Sequence, residues 1–146
     1  MSRGHRVVAA VVVDAPPARV WRALTEPAEV ALWDGAEPLD VPAGYPRPGQ
    51  DARWRTRLGP VRLTLHDRVR AVDPERRLAA SLAYGPVRVE EEYRLGPATG
   101  GGTVVVCDNA VTGAVPGLGR AAAALVRRST RAAMAALARY CAATGP

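Results

Sequence analysis

Lysine is absent from the sequence, and all 20 of its basic residues are arginine. Histidine and cysteine are scarce, with two of each: His5, His66, Cys107 and Cys141. Two cysteines so far apart make no disulfide framework, and two isolated histidines do not complete a zinc-ligand set with them. The sequence therefore predicts no metal site, and its thiols fit a reducing cytoplasm.

Long apolar runs are also lacking. The run from Val7 to Val13 is short and leads into Asp14-Ala15-Pro16-Pro17 without a cleavage-like site, so we predict neither a signal peptide nor a membrane span. The net charge of +6 would suit a nucleic acid, but the arginines are spread over the chain without interleaved aromatic residues. We therefore read them as a solvated surface and predict no nucleic-acid partner.

The sequence does not support a cofactor-binding motif or a nucleophilic catalytic residue once the neighbouring elements are considered. Residues 117–122 satisfy G-x-G-x-x-A, yet no returning parallel strand or acidic residue follows them, as a dinucleotide site requires. Cys107 has no basic partner, since His66 is expected to point outward, and no serine lies in a nucleophile elbow. We predict no cofactor.

The length of 146 residues predicts a single domain, residues 1–146. Its most regular stretch, residues 117–144, has the periodicity of one long amphipathic helix that ends at Gly145-Pro146. The inward face is predicted to hold Leu118, Ala122, Leu125, Val126, Ser129, Ala133, Ala136, Leu137 and Tyr140. The opposite face is predicted to hold Arg120, Arg127, Arg128, Arg131 and Arg139. Small residues in the middle of the inward face either let a sheet approach closely or leave unfilled volume, and the pattern does not choose between them.

Before this helix, the sequence predicts mostly strands. Residues 5–14 indicate a first strand, and prolines 16–17 and 27 each begin a short helix. The Pro- and Gly-rich residues 34–50 predict either a pocket rim or a plain surface loop, with a short strand near 39–41. Period-two alternation then predicts an antiparallel meander of five strands, at residues 51–58, 61–72, 77–84, 87–95 and 103–112.

Alternation places three polar residues, Asp67, Glu91 and Asn109, among the apolar side chains of the inward face. A carboxylate in a sealed apolar core costs several kcal/mol unless it is paired or protonated. We expect Glu91 opposite Cys107, and Asp67 in one row with Leu82, Val89 and Asn109. These groups then line a wet cavity, unless a β-bulge turns them outward.

The run VVVDAPPARVWRALTEPAEVALW, residues 11–33, resembles the opening of the START-like superfamily, also called SRPBCC, which includes the polyketide cyclase/dehydrase-like group. The segment VRAVDPERRL at 69–78, the meander and the terminal helix follow in the same order. The resemblance implies an α+β helix-grip fold: a curved antiparallel sheet of six to seven strands wrapped around a long C-terminal helix, with two short helices after the first strand. It also implies a deep pocket for lipids, polyketides or other apolar molecules, which some members cyclise, aromatise or dehydrate. The matching segments are structural, so no catalytic residue is carried over.

The first functional hypothesis is an enzyme that acts on an apolar, polyketide-like substrate by proton transfer. Glu91 is the expected general base, Tyr93 or Tyr84 the hydrogen-bond donor to an enolate, and Asp67 an orienting group. The tyrosines have core packing as an alternative role. The predicted substrate-binding residues are Trp54, Leu65, Tyr84, Cys107, Asn109, Trp33, Leu125, Ser129 and Ala133.

Two further hypotheses use the same fold. A carrier or sensor of an apolar ligand needs only the cavity and a lid, which residues 35–49 would form with Trp33 and Tyr45 at the mouth. A protein-interaction module would use the arginine face of the terminal helix, for example Arg127 and Arg131, to meet an acidic carrier protein. The sequence leaves both a monomer and a homodimer open.

Overall fold

The computed structural model describes residues 4–145 and contains seven strands and three α-helices. The strands are β1 (His5–Val13), β2 (Glu37–Asp40), β3 (Asp51–Leu58), β4 (Val61–Asp73), β5 (Arg77–Tyr84), β6 (Val87–Pro97) and β7 (Thr103–Gly113). The helices are α1 (Pro17–Thr25), α2 (Pro27–Trp33) and α3 (Leu118–Thr144). Over this part of the chain, no helix combines the length and apolarity needed to cross a bilayer.

The strands form one antiparallel sheet in the order β1-β7-β6-β5-β4-β3-β2. Short turns such as Gly59-Pro60 and Gly85-Pro86 join β3 through β6 as hairpins, because glycine there adopts the positive φ that tight turns require. The last strand then pairs with the first, which places β1 at one edge and β2 at the other. This arrangement confirms the predicted helix-grip fold.

Helix α3 crosses the concave side of the sheet unevenly. It packs closely on β1 and β7 and touches β3 and β6 much less. The close approach depends on small residues, since a Cβ added to Gly113 would lie 2.6 Å from the backbone nitrogen of Gly119. Ala122 and Ala123 continue this tight contact one turn later. The helix therefore leaves space over the middle of the sheet.

The short helices close one end of this space and are tied to the end of α3. The side chain of Arg19, only 4% exposed, forms a 2.7 Å ion pair with Glu29 of α2. Its guanidinium also donates to the carbonyl of Gly145 and the hydroxyl of Thr144, and stacks on the ring of Tyr140. One buried cation thus connects all three helices.

The predicted elements agree with the structure to within two residues at most ends. The short strand expected near 39–41 lies at Glu37–Asp40, and α3 begins at Leu118. The predicted helix end at Gly145-Pro146 is described only to Gly145, because Pro146 lies outside the described residues. Val61 falls on the inward side of β4 by alternation, yet it is half exposed because it begins the strand at a hairpin turn.

One predicted register is wrong. Glu91 pairs with Asn109, and Cys107 pairs with Tyr93, because β6 extends to Pro97 before its turn and shifts β7 by two residues. The row of Asp67 accordingly contains Leu82, Val89 and Val111 in place of Asn109. A shift of two residues keeps every side chain on its predicted face, since side chains alternate with period two.

Candidate functional site

A cavity of about 650 Å³ lies between α3 and the middle of the sheet. Its floor is formed by the inward side chains of β3 to β7, and α2 closes one side. Ser129, Ala133 and Ala136 of α3 face it, and their small side chains leave the volume unfilled. The sequence left two roles open for the small residues of α3, and both occur. Near Gly119 they let the sheet approach closely, and from Ser129 onward they leave open volume.

Glu91 presents an unpaired carboxyl group to this cavity. Its side chain is half-buried and accepts no hydrogen bond or ion pair from the residues that the structure describes. Burial within the protein body, followed by the charges of Asp67 and Asp34, raises the pKa of Glu91 to about 8. The group can therefore take up and release a proton near neutral pH.

Asp67 is the second carboxyl group of the cavity wall and is only 5% exposed. Its Oδ2 accepts a 2.6 Å hydrogen bond from the Tyr45 hydroxyl and a 3.1 Å bond from Trp54 Nε1. Its Oδ1 is buried without a partner among residues 4–145. Burial raises the pKa of Asp67, while the hydrogen bonds from Tyr45 and Trp54 oppose the rise. The β-bulge of β4 lies between Val69 and Ala71, too far along the strand to turn Asp67 outward.

Asn109 lies beside Glu91 on the neighbouring strand and is 1% exposed. Its Nδ2 donates to Thr130 Oγ1 on α3 at 3.4 Å and approaches Cys107 Sγ at 3.5 Å. Its Oδ1 has no partner in the described part of the chain. Together with Asp67 Oδ1, this oxygen gives the wall two buried acceptors without a partner among residues 4–145.

Aromatic side chains complete the lining. Tyr84 and Tyr93 are half-buried, and burial followed by the charge of Glu91 raises the pKa of both phenols, so they stay protonated donors. Trp33 of α2 is buried and donates to the carbonyl of Ala23 at 2.7 Å, which fixes its indole against the cavity. Burial also raises the pKa of Cys107, so its thiol is an inert wall group.

The cavity opens where its lining residues become exposed. These exposed members are Asp34, Gly35, Glu37, Arg55, Arg57, Arg62, Ala132 and Arg139. We call this set the mouth. The Pro-rich segment beside it is anchored, because Tyr45 is half-buried, packs its ring edge-on against Trp54 at 5.8 Å and bonds to Asp67.

Eleven of the twelve side chains predicted for the site border this cavity: Glu91, Tyr93, Asp67, Trp54, Leu65, Tyr84, Cys107, Asn109, Trp33, Ser129 and Ala133. Leu125 is the exception. It packs against the hydrophobic cluster around Leu58 and lies over the β3–β4 turn, with Cδ2 3.1 Å from a Cβ built on Gly59. The buried face of α3 is centred on Val126, Thr130 and Leu137, a small rotation from the predicted face. Leu125 lies on the same side of the helix as Ser129 and Ala136, but its position along the helix places it over the β3–β4 turn.

Sequence reasoning missed several lining residues. Thr130 was not predicted as a lining residue because the predicted helix face was slightly rotated. Arg139 was not predicted because it was assigned to the solvent face. Asp34 follows α2 directly, and desolvation by the surrounding protein raises its pKa to about 6 although its side chain reaches solvent at the mouth. The only sequence signal for Asp34 as a lining residue was its position between a helix and Gly35. Among residues 4–145, no three His, Cys, Asp or Glu side chains are grouped closely enough to hold a metal ion.

Similar solved structures share the fold. A START superfamily protein from Mycobacterium smegmatis superposes with a TM-score of 0.81 at 16% identity, covering 97% of this chain and 100% of its own. CalU16 from Micromonospora echinospora superposes with a TM-score of 0.72 at 23% identity, and the match covers 94% of this chain and 74% of CalU16.

DynU16, a protein from the dynemicin biosynthetic locus, gives a TM-score of 0.74 at 24% identity and 97% coverage of this chain. Only 48% of DynU16 is covered, so the chain spans about half the length of that protein. No match was found among curated proteins. Residues 4–142 match the family described as polyketide cyclase / dehydrase and lipid transport, as the resemblance implied. The chain belongs to this family.

Proposed function

We propose that the protein binds a polyketide-like apolar molecule in the cavity and catalyses its cyclisation, aromatisation or dehydration by general acid/base chemistry. The observation that carries this proposal is the Glu91 carboxyl group, which faces the cavity without a protein partner and has a pKa of about 8. A group that only stabilised the fold would be paired, because an unpaired buried carboxylate costs several kcal/mol.

The cavity suits a molecule of this class. Its volume of about 650 Å³ falls in the range of small-molecule sites, and its wall combines apolar side chains with a few convergent polar groups. The polar groups are unlike one another: a carboxyl at Glu91, an unpartnered acceptor at Asp67 and phenols at Tyr84 and Tyr93. A ligand with several carbonyl and hydroxyl groups on an apolar frame meets this pattern.

In the proposed reaction, the Glu91 carboxylate takes a proton from a carbon next to a substrate carbonyl. The C–H electron pair becomes the enolate double bond, and a tyrosine hydroxyl donates a hydrogen bond to the enolate oxygen. The enolate carbon can then attack another carbonyl of the same molecule, which forms a ring and leaves an alkoxide. Glu91 returns the proton to that oxygen, and subsequent loss of water gives the dehydrated or aromatic product. Asp67, held by Tyr45 and Trp54, would help to orient the substrate from the cavity wall.

A carrier or sensor is the second candidate, and the same pKa favours it under neutral conditions. With a pKa of about 8, roughly nine-tenths of Glu91 is protonated at pH 7 and can act as an uncharged hydrogen-bond donor to a ligand. A protein that only holds its ligand needs no ionised base.

Exchange of the α-protons of 2-tetralone in D₂O, followed by NMR, tests the proposal. This ketone is apolar and small enough for the cavity, and exchange requires only enolisation. We expect the protein to accelerate exchange and Glu91→Gln to abolish the acceleration without weakening 2-tetralone binding. Glu90→Gln is the matched control, because Glu90 lies on the outward face of the same strand and bonds to Ser81. Acceleration retained in Glu91→Gln would remove this residue from the mechanism, and binding without any acceleration would leave the carrier function.

A further inference from the structure

The two edges of the sheet differ in how well they are protected against pairing with another strand. Strand β2, at one edge, has only four residues and is interrupted by a bulge between Pro38 and Asp40. Strand β1, at the other edge, has nine residues, no proline and an uninterrupted register with β7. Short strands, prolines and bulges are the devices that blunt an edge, so β1 is the edge that can accept a further strand.

The open side of β1 is apolar and uncovered. No charged residue lies between Val7 and Val13, and the outward-facing Val8 and Val12 are 50% and 65% exposed. Among residues 4–145, no strand other than β7 pairs with β1, and no loop or turn hydrogen-bonds to its backbone. An exposed edge of this length and composition is a site at which an extended peptide can add as a strand.

Helix α3 lies alongside this edge on the concave face. It meets the start of β1 at Gly119, where an added Cβ would lie 3.3 Å from Cδ2 of His5. At the other end of the strand, Val13 belongs to the same hydrophobic cluster as Leu137 and Cys141 of α3. The helix and the strand therefore run in the same direction along the whole edge.

Three arginines of α3 lie on the flank that faces away from the cavity: Arg120, Arg127 and Arg131. At about 100° per residue they fall within about 40° of one another and about 180° from Ser129, which faces the cavity. Because the cavity lies over the middle of the sheet, the opposite flank of α3 lies over the open side of β1. Arg120 accordingly borders the same surface depression as His5. We call these three residues the arginine flank.

The arginine flank carries uncompensated charge. None of its guanidinium groups lies within 4 Å of a carboxylate of residues 4–145, and α3 contains no Asp or Glu. Sheet arginines such as Arg6 and Arg68 do form such pairs. The edge therefore combines a strand with an open backbone and a row of cations beside it.

We propose that β1 and the arginine flank bind an extended acidic peptide of another protein, which adds to the sheet as a further strand. Such a strand lies about 4.8 Å beyond β1, with alternate side chains toward α3 and toward the outer face. Acidic side chains on the α3 side meet the arginine flank. There, Arg127 and Arg131 are about 6 Å apart along the helix, close to the roughly 6.6 Å between alternate residues of a strand. Apolar side chains on the other side cover Val8 and Val12.

Charge decides between this occupant and a second copy of the chain. If two copies paired through β1 in antiparallel fashion, their arginine flanks would face each other across the new interface, and like charges there oppose association. An acidic peptide instead neutralises the arginine flank. The surface lies outside the cavity, so this interaction goes beyond the proposed function and does not depend on it.

Fluorescence anisotropy of labelled peptides tests the site. The probe EVEVEVE has the length of Val7–Val13 and alternates glutamate with valine, and KVKVKVK is its charge-reversed control. We expect the acidic peptide to bind and the basic one not to bind. The affinity for EVEVEVE should fall about fivefold in Arg127→Gln/Arg131→Gln, since each exposed ion pair contributes modestly. The matched control, Arg76→Gln/Arg88→Gln, removes the same charge from exposed positions in the β4–β5 turn and on β6, and should bind like the wild type.

Backbone pairing is tested with two N-methylated forms of EVEVEVE, one methylated on its glutamate amides and the other on its valine amides. Alternate amides of a strand point to opposite edges, so one form should lose binding and the other should keep it. Loss in both forms or in neither, equal affinities of the two double variants, or no binding of EVEVEVE at millimolar concentration would overturn the inference. A dimer in sedimentation equilibrium that Val12→Lys converts to a monomer would also overturn it, because a second copy would then occupy the edge.

Discussion

Replacing Glu91 with glutamine should stabilise the protein at alkaline pH. In the folded state burial raises the pKa of this group from 4.5 to about 8, so its protonated form is favoured. Between these two pH values the unfolded chain has lost a proton that the folded protein keeps, and the stability of the wild type falls as pH rises through this window. Glutamine resembles the protonated acid in shape and carries no such penalty.

The size of the effect follows from the pKa difference. At about 1.4 kcal/mol per pKa unit, the change from 4.5 to about 8 sets a ceiling of about 5 kcal/mol. The carboxylate is only half-buried, and its access to solvent reduces this cost, so we expect about 2–4 kcal/mol at pH 9. For a chain of 146 residues, this corresponds to a rise in Tm of about 6–12 °C.

Urea unfolding and thermal melts of both proteins at pH 5, 7 and 9 provide the assay. The two proteins should be nearly equally stable at pH 5 and diverge as pH increases, with Glu91→Gln the more stable. Glu90→Gln, whose carboxyl is lost from the outward face of β6, should show no such divergence. A Glu91→Gln variant that is less stable at pH 9, or a difference independent of pH, would mean that Glu91 is paired with a cation or lies in bulk solvent.

Two further variants test the contacts around the site. Tyr45→Phe removes the 2.6 Å hydrogen bond to Asp67 and should cost about 1–3 kcal/mol in urea unfolding, whereas Tyr84→Phe, with no hydroxyl partner in the described residues, should cost less than about 1 kcal/mol. Equal costs would argue against the Asp67 contact. Arg19→Met leaves Glu29 without its buried partner and should destabilise by about 3–5 kcal/mol, with faster amide exchange at the end of α3. Arg22→Met removes only the exposed partner of Glu29 and should cost about 1 kcal/mol or less, so similar losses would contradict the role given to burial.

The fold was predictable because its signals are local. Proline at the start of α1 and α2, glycine in the hairpin turns and the period-two pattern of β3 to β7 each specify an element without reference to the rest of the chain. Face assignment was equally secure, since alternation alone placed Glu91 and Asp67 inward.

The parts that could not be predicted depend on contacts between elements. The register of β6 and β7 is set by the length of their turn, and the glycines at 100–102 allow several turn lengths with the same alternation. The rotation of α3 is set by the contact between Gly113 and Gly119, which brings Thr130 toward Asn109. One of the two hydrogen-bond donors to Asp67, Tyr45, lies 22 residues away in a segment without periodicity, so only the tertiary structure identifies it.

The proposed chemistry depends on one property of Glu91: its carboxyl group faces an open cavity and changes its protonation near neutral pH. A ¹³C NMR titration of glutamate carboxyl groups, with the Glu91 resonance assigned by its loss in Glu91→Gln, measures this property directly. We expect a midpoint at about pH 8. A midpoint near 4.5 would contradict it, because that value would mean a carboxylate in contact with bulk water or paired with a cation.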